Sequence, residues 1–430
     1  MRKILLFSEQ VFTVFTLLIY SGGLLILILS GGANETDTTV NYDTTLYQVS
    51  CILIYLITLF LLLLRWKKTI YVLMQNKLIW LLVGLSLFSI LWSFAPAITL
   101  KDSMRLIGSS LFGVYLSSRY TLKQQLKLLV WMCGIAIVLS FIFAVALPKY
   151  GVMGGVHAGK WRGIFVHKNG LGASMLNSSI LFLLMAVGLK KKRQFLWLGF
   201  GLSVLLLLLS NSTSALLNLA ILIAVLVALR ALWLPYYVMI PALIGIAIIG
   251  EIIYFGFINS ADLIFGSLGK DSNLSGRGDL WSYVFDMIWK HPWLGYGYGG
   301  FWNGWNGESA YIWRVQAWTP THPHNGFLAL WLDLGLLGLS IFFLGFVINY
   351  MRALAFVRVN RKIEAIFPVI HMTALVLTNL TETALLGSDS IPWIMYIALA
   401  SSIKIEMNEF LKKKNVYSIH QPQQNYLIQG

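Results

Sequence analysis

Apolar runs of about twenty residues recur along almost the whole chain, and nothing else in the sequence constrains the fold so tightly. "QVSCILIYLITLFLLLLR" at 48–65 is one of them. A run of about 18 or more apolar residues is long enough to cross a bilayer as a helix. Inside lipid each backbone N–H and C=O must be satisfied within the segment, and continuous apolar runs without alternation meet that requirement as helices. Hydrophobic residues make up 58% of the 430 residues and charged ones only 11%, which would leave large apolar patches on a water-soluble surface. The chain is therefore read as an all-α integral membrane protein.

The runs place about 12 transmembrane helices, at 10–30, 48–65, 78–97, 104–119, 128–147, 169–189, 194–210, 213–230, 234–256, 324–351, 364–386 and 391–408. The fourth, "RLIGSSLFGVYLSS", is short and rich in small polar residues. The organisation that follows is helices 1–9 over residues 1–256, a long loop over 257–323, helices 10–12 over 324–408, and a polar tail over 409–430.

The net charge of +15 comes largely from Lys and Arg in short clusters between apolar runs: Arg65 to Lys68, Lys190 to Arg193, Arg352 to Lys362, Lys412 to Lys414. That is the positive-inside pattern, so it predicts a membrane orientation and no nucleic-acid partner. Both termini then fall in the cytoplasm. The first apolar run is longer than a signal-peptide core and lacks an A-x-A-like cleavage site, which predicts a retained span. Cys51 and Cys133 lie far apart inside apolar runs and suggest neither a disulfide nor a metal site.

Most connections are short, whereas 257–323 is a loop of the size that carries function. Within it, "SGRGDLWSYVFDMIWKHPWLGYGYGGFW" at 275–302 sets Leu280, Trp281, Val284, Phe285, Ile288 and Trp289 at helical spacing, with Ser275 as a possible cap and Pro292 as a stop. This predicts an amphipathic helix on the membrane surface or over the bundle. The aromatic residues from Trp293 to Trp305 suit a sugar-binding surface or the headgroup belt.

Another connection, 148–168, breaks the charge rule. On the external side it carries Lys149, Lys160, Arg162 and Lys168 without an acid, and no Asp or Glu occurs between Asp102 and Glu251. An external anion is the simplest partner: arginine offers phosphate a planar fork and lysine a point charge, and "RGIFVHKNGLG" runs into a helix N-terminus. Contact with lipid headgroups is the other reading. Arg277, in the long loop, is a further phosphate candidate, with an ion pair to Asp279 or Asp271 as its alternative.

The stretch "THPHNGFLALWLDLGLLG" at 321–338 sets His324 at the first turn of the tenth span. A neutral imidazole there can take a proton, which makes His324 the candidate base. His322 and His324 flank Pro323, yet no Cys or helical Asp/Glu pair accompanies them, so no metal site is expected. Second-rank candidates are His322, His167, Asn325, Arg314 and Glu382. Asn325 either orients a partner or caps the helix, and Glu382 is an ionisable residue within a membrane segment.

The spacing His324, Asn325, Gly335, Gly338, together with "RGIFVHKNGLG", "LLLLLSNSTSALL" and "GRGDLWSYVFDMIWKHPWLGYGYGGF", resembles the bacterial O-antigen ligase and Wzy-type polysaccharide polymerase superfamily. "RGIFVHKNGLG" is similar to the exopolysaccharide-polymerase branch. The resemblance implies a membrane glycosyltransferase acting on polyprenyl-diphosphate-linked glycan at the external face of the inner membrane. His324 would be catalytic, while Arg162, Arg277 and Lys168 would hold the diphosphate. No cofactor or metal is implied. The acceptor would be a glycan or a lipid, and a chain-length regulator and a flippase would be functional neighbours. The alternatives are a ligase acting on finished glycan and, from a different class, a lipid-linked oligosaccharide flippase or transporter. A transporter is expected to carry ionisable groups near mid-membrane, whereas here they gather toward one face.

Overall fold

The structure, a computed structural model, describes residues 2–33, 43–189, 192–231, 277–316 and 319–419, with positions 233, 235, 237 and 238. Among these residues it is helical, with a single isolated bridge between Val152 and Trp161. The helices are α1 (Arg2–Tyr20), α2 (Leu24–Leu29), α3 (Thr45–Leu63), α4 (Trp66–Leu73), α5 (Lys77–Phe88), α6 (Pro96–Arg119), α7 (Leu122–Ala146), α8 (Pro148–Gly151), α9 (Lys168–Gly188), α10 (Arg193–Ser210) and α11 (Thr213–Ala231). After these come α12 (Arg277–Lys290), α13 (Ala310–Val315), α14 (Gly326–Val359), α15 (Ile363–Asn379) and α16 (Ile391–Ile419).

The outer helices have the polarity of a membrane protein. α3 turns Tyr47, Cys51, Ile54, Thr58 and Leu62 inward and exposes Ile52, Leu53, Leu56, Phe60 and Leu63, so its bulkiest apolar side chains face outward. Such a surface is stable only against lipid.

Among the described residues, seven helices are long and apolar enough to cross a membrane, or eight if the pair Trp66–Leu73 and Lys77–Leu91, bent by 89°, forms one span. The sequence reading expects twelve. Its ninth span, 234–256, lies outside the described residues except for positions 235, 237 and 238. Its fourth is a full helix, α6, that is not apolar enough to be recognised because protein rather than lipid surrounds it. Thr99, Ser103, Ser109, Ser110, Ser117 and Ser118 are all buried there. Ser110 accepts from Trp393 Nε1 at 2.9 Å, and a Cβ on Gly113 would stand 2.8 Å from the Ile394 carbonyl. Small and hydroxyl side chains let α6 and α16 approach closely, which is how helices associate where lipid supplies no hydrophobic drive. α15, at 17 residues shorter than α6, is likewise mostly buried.

α12 is amphipathic, as its spacing predicts, but its inward stripe is Leu280, Val284, Met287 and Ile288. Phe285 and Trp289 face outward, where both rings meet Trp331 edge-on. The inward stripe forms a second small core with Tyr296, Phe301, Ile312, Leu328 and Leu332, so this helix lies over the bundle on the first turns of α14. The aromatic segment after it divides. Tyr296 and Phe301 are fully buried, while Trp293 and Trp305 are exposed.

α14 is broken at Gly335, which adopts φ 65° and ψ −170°. The 292–296 segment takes up the backbone groups that the break opens: Leu336 N–H donates to the Pro292 carbonyl at 2.8 Å, and Tyr296 N–H to the Leu332 carbonyl at 2.8 Å. A buried break is tolerated only when its donors and acceptors are satisfied in this way. Gly335 and Gly338, which by sequence alone suit close helix packing, differ in the structure: Gly335 is the point at which the helix breaks.

Candidate active site

Two helix N-termini and one connecting segment meet at the candidate site. Asn325 caps α14, its Oδ1 accepting from Phe327 N–H at 3.0 Å and Leu328 N–H at 3.2 Å. The next residue has to be glycine, because a Cβ on Gly326 would stand 2.0 Å from Asn379 Oδ1. Asn379 at the end of α15 in turn accepts from Ala384 N–H at 2.7 Å, which fixes the segment that carries Glu382.

His324 has a left-handed backbone, φ 51°, an uncommon state for a residue with a side chain. It is held from both sides. His322 Nδ1 accepts from His324 N–H at 3.3 Å, with the two rings 4.0 Å apart. On the other side, Trp281 of α12 donates its indole N–H to the Pro323 carbonyl at 2.9 Å. Two more indoles brace the same region, Trp313 to the Pro320 carbonyl at 2.7 Å and Trp331 to the Pro292 carbonyl at 3.0 Å. Buried indole N–H groups require an acceptor, and here each finds a proline carbonyl. Trp281→Phe keeps most of the ring packing and removes one bond. It is expected to cost about 1 kcal/mol of stability but to lower transfer by roughly tenfold, because the displaced turn carries His324, the candidate base. Melting temperature measured beside initial rate checks this.

Glu382 links α14 to α9. Its Oε1 accepts from Asn169 Nδ2 at 3.1 Å, and its Oε2 stands 3.9 Å from His324 Nδ1. Arg105, a cation carried on α6, engages Asp389 at 2.9 Å and Asp102 at 3.2 Å rather than Glu382. A carboxylate beside Nδ1 favours the tautomer whose Nε2 can accept a proton, the arrangement that orients a catalytic imidazole. Beyond Glu382, a cavity of about 190 Å³ continues between α9 and α15 past Asn177 and His371.

At the head of α9, His167 is the N-cap, with Nδ1 accepting from Asn169 N–H at 3.2 Å. Lys168 is 5% exposed, and its ammonium donates to Asn169 Oδ1 at 3.3 Å and to the Asn211 carbonyl at 3.4 Å. Burial, then the charges of His157 and Lys168, hold the His167 imidazole down at about 4, and it also feels Glu382 and His324, so one cluster contains all five groups. An imidazole whose folded value lies below its ordinary 6.5 is protonated more readily in the unfolded chain. Its stabilising contribution is complete above about 6.5 and is lost as pH falls toward 4. His167→Asn, which keeps a capping acceptor, is expected to flatten the fall in melting temperature over that interval.

Arg162 stands apart from this cluster. It is 1% exposed, and its guanidinium donates to the carbonyls of Tyr150 (2.7 Å), Ala33 (2.9 Å), Gly32 (2.6 Å) and Lys149 (3.1 Å). These bonds staple the 148–168 connection to the end of α2. Arg277 opens α12, with its side chain outside the described residues, and Arg314 is exposed on α13. His157, whose ring lies 5.3 Å from that of His167, and Asn169 join the site without having been leading candidates from sequence. The signal for both was their place in the acid-free, histidine-bearing connection before α9. Among the described residues, no group of three or more His, Cys, Asp or Glu is placed to share a metal ion.

A family model described as O-antigen ligase matches residues 198–343, which include α12 and the His324 turn. The exopolysaccharide production protein ExoQ of Rhizobium meliloti (strain 1021) is 25% identical over 317 residues, covering 70% of each chain. The apolar helices describe a multi-pass membrane protein, and the matches are to proteins of glycan assembly. The chain is thus similar, over these stretches, to proteins of the O-antigen ligase and exopolysaccharide-production kind.

Proposed function

We propose that this protein polymerises polyprenyl-diphosphate-linked oligosaccharide units into an extracellular polysaccharide at the external face of the inner membrane, with both termini cytoplasmic. The observation that carries the reading is the His324–Glu382 pair at the meeting of two helix N-termini, beside the buried Lys168. An acceptor sugar hydroxyl gives its proton to His324 Nε2, and its oxygen bonds to the anomeric carbon of the donor. The bond from that carbon to the diphosphate oxygen breaks, and the polyprenyl diphosphate departs as an anion. Direct displacement inverts the anomeric centre. Glu382 orients the imidazole and stabilises its protonated form. Lys168, the two positive helix ends and Arg277 meet the charge of the leaving group. Arg162 acts at one remove, by holding the connection that delivers Lys168. The reaction on this reading needs no metal, and a chelator is expected to leave the rate unchanged.

The polymerase reading draws support from the exopolysaccharide role in the name of the relative, and the family description favours a ligase as the second reading. Product length separates them. Purified protein in liposomes, given a defined polyprenyl-diphosphate glycan, is expected to produce a ladder of repeat units. A single transfer to a lipid or protein acceptor would establish a ligase, and lipid movement across the bilayer without a new glycosidic bond would establish a flippase.

A further inference from the structure

Toward the other end of α14, a second cavity of about 220 Å³ lies between the α4–α5 bend, α14 and α16. Arg352 is roughly 25 Å along the helix from the break at Gly335, so this space is separate from the His324 site. Lys77, Arg352 and Lys404 line it, one from each of the three elements, and no Asp or Glu is among its lining residues. Water takes about 30 Å³ in the liquid, so the space accommodates a much larger anion.

The surrounding contacts hold the cations without neutralising them. Lys404 donates to the Gln75 carbonyl at 3.1 Å, and Arg352 to Asn349 Oδ1 at 3.3 Å. Asn349 is itself fixed by donating to Tyr396 OH at 3.1 Å, and Asn76 by donating to Ser401 Oγ at 3.1 Å. Neutral acceptors orient the donors and leave the positive charge in place. α5 adds the positive end of a helix, since it begins at Lys77 on the cavity wall. At Gly345, a Cβ would stand 3.3 Å from the Leu78 side chain, so α14 and α5 close tightly on one side of the space.

We propose that this cavity binds a phosphate group, supplied either by the headgroup of an anionic phospholipid or by free phosphate. Arginine contributes a fork, two lysines contribute point charges, and the position near helix ends is the depth at which lipid phosphates lie. Binding there would tie the α4–α5 bend, α14 and α16 together at the end remote from the site.

The test uses the full chain in detergent, with thermal melting and native mass spectrometry during titration with phosphatidylglycerol, phosphatidylcholine or sodium phosphate at matched ionic strength. Phosphatidylglycerol is expected to bind and stabilise more than phosphatidylcholine. The double variant Arg352→Gln/Lys404→Gln should weaken its binding at least tenfold. If phosphatidylglycerol alone acts, the phosphate is a lipid headgroup, and if sodium phosphate protects equally and displaces the lipid, it is the free anion. Should the double variant fail to fold, Lys77→Gln, at an exposed position, is expected to weaken binding at least threefold. Equal affinity in wild type and variants, or no binding of either anion to wild type, overturns the proposal.

Discussion

His324→Ala is expected to lower glycan transfer by roughly 10²- to 10⁴-fold, the usual contribution of a positioned general base, while leaving the protein folded. The ring is partly exposed and lies outside the main apolar cores, so its removal leaves little packing unsatisfied. The turn itself remains held through Trp281, Asn325 and Gly326. The left-handed backbone at this position is no easier for alanine than for histidine, so His324→Asn, which tolerates that conformation, is the better control for folding. Both variants should melt within a few degrees of wild type and both should be slow. Glu382→Gln keeps the hydrogen bond from Asn169 and removes the charge beside His324, so its loss should be intermediate, chiefly in kcat. Nearly full transfer by a folded His324→Ala protein would remove the histidine from the reaction.

Gly335→Ala should damage the fold severely, destabilising it by more than about 3 kcal/mol. A left-handed backbone with a side chain costs of order 1–3 kcal/mol, and forcing atoms into a packed interior adds a similar amount. Both penalties apply here, because φ is 65° and the new Cβ would lie 2.1 Å from the Trp293 carbonyl oxygen. Relief requires the 292–296 segment to lift off, and that segment satisfies the broken backbone of α14 and carries the small core under α12. Loss of the α12 platform removes the Trp281 contact to Pro323, so activity should fall with stability. Gly134→Ala in α7 is the matched control, since nothing lies within 4 Å of its added Cβ. It should be neutral or stabilising by up to about 1 kcal/mol. Melting temperatures of the two variants in the same detergent make the comparison, and equal stability would show that the break is not held by this contact.

Much of the bundle can be read from composition along the chain, because a helix facing lipid has to be apolar over its whole crossing. That rule locates α3, α7, α9, α10, α11 and α14. It fails on α6, where burial inside protein replaces lipid and hydroxyl side chains become packing surface. It also places Phe285 and Trp289 on the buried stripe of α12, because spacing fixes which residues share a face and not which part of that face meets the bundle. The site is legible to a similar depth. His324 and Asn325 announce themselves as an ionisable residue and a cap at the head of a greasy helix. The burial of Arg162 on carbonyls is not legible, since an arginine in an acid-free connection has the same sequence whether it faces an anion or its own backbone.

What the sequence determines by itself is local. The length and polarity of each run, the cap at Asn325 and the excess of cations before α9 follow from backbone chemistry and transfer free energy over a few residues, whereas the break at Gly335 appears only in the structure. The meeting of His167, Lys168 and Asn169 with His324 and Glu382 is decided only by the tertiary structure, because it joins positions separated by 213 residues between Asn169 and Glu382. The contact exists because Gly326 admits Asn379 at close range, and because Trp281 holds the Pro323 turn against the second core. Both conditions depend on the packing of distant helices.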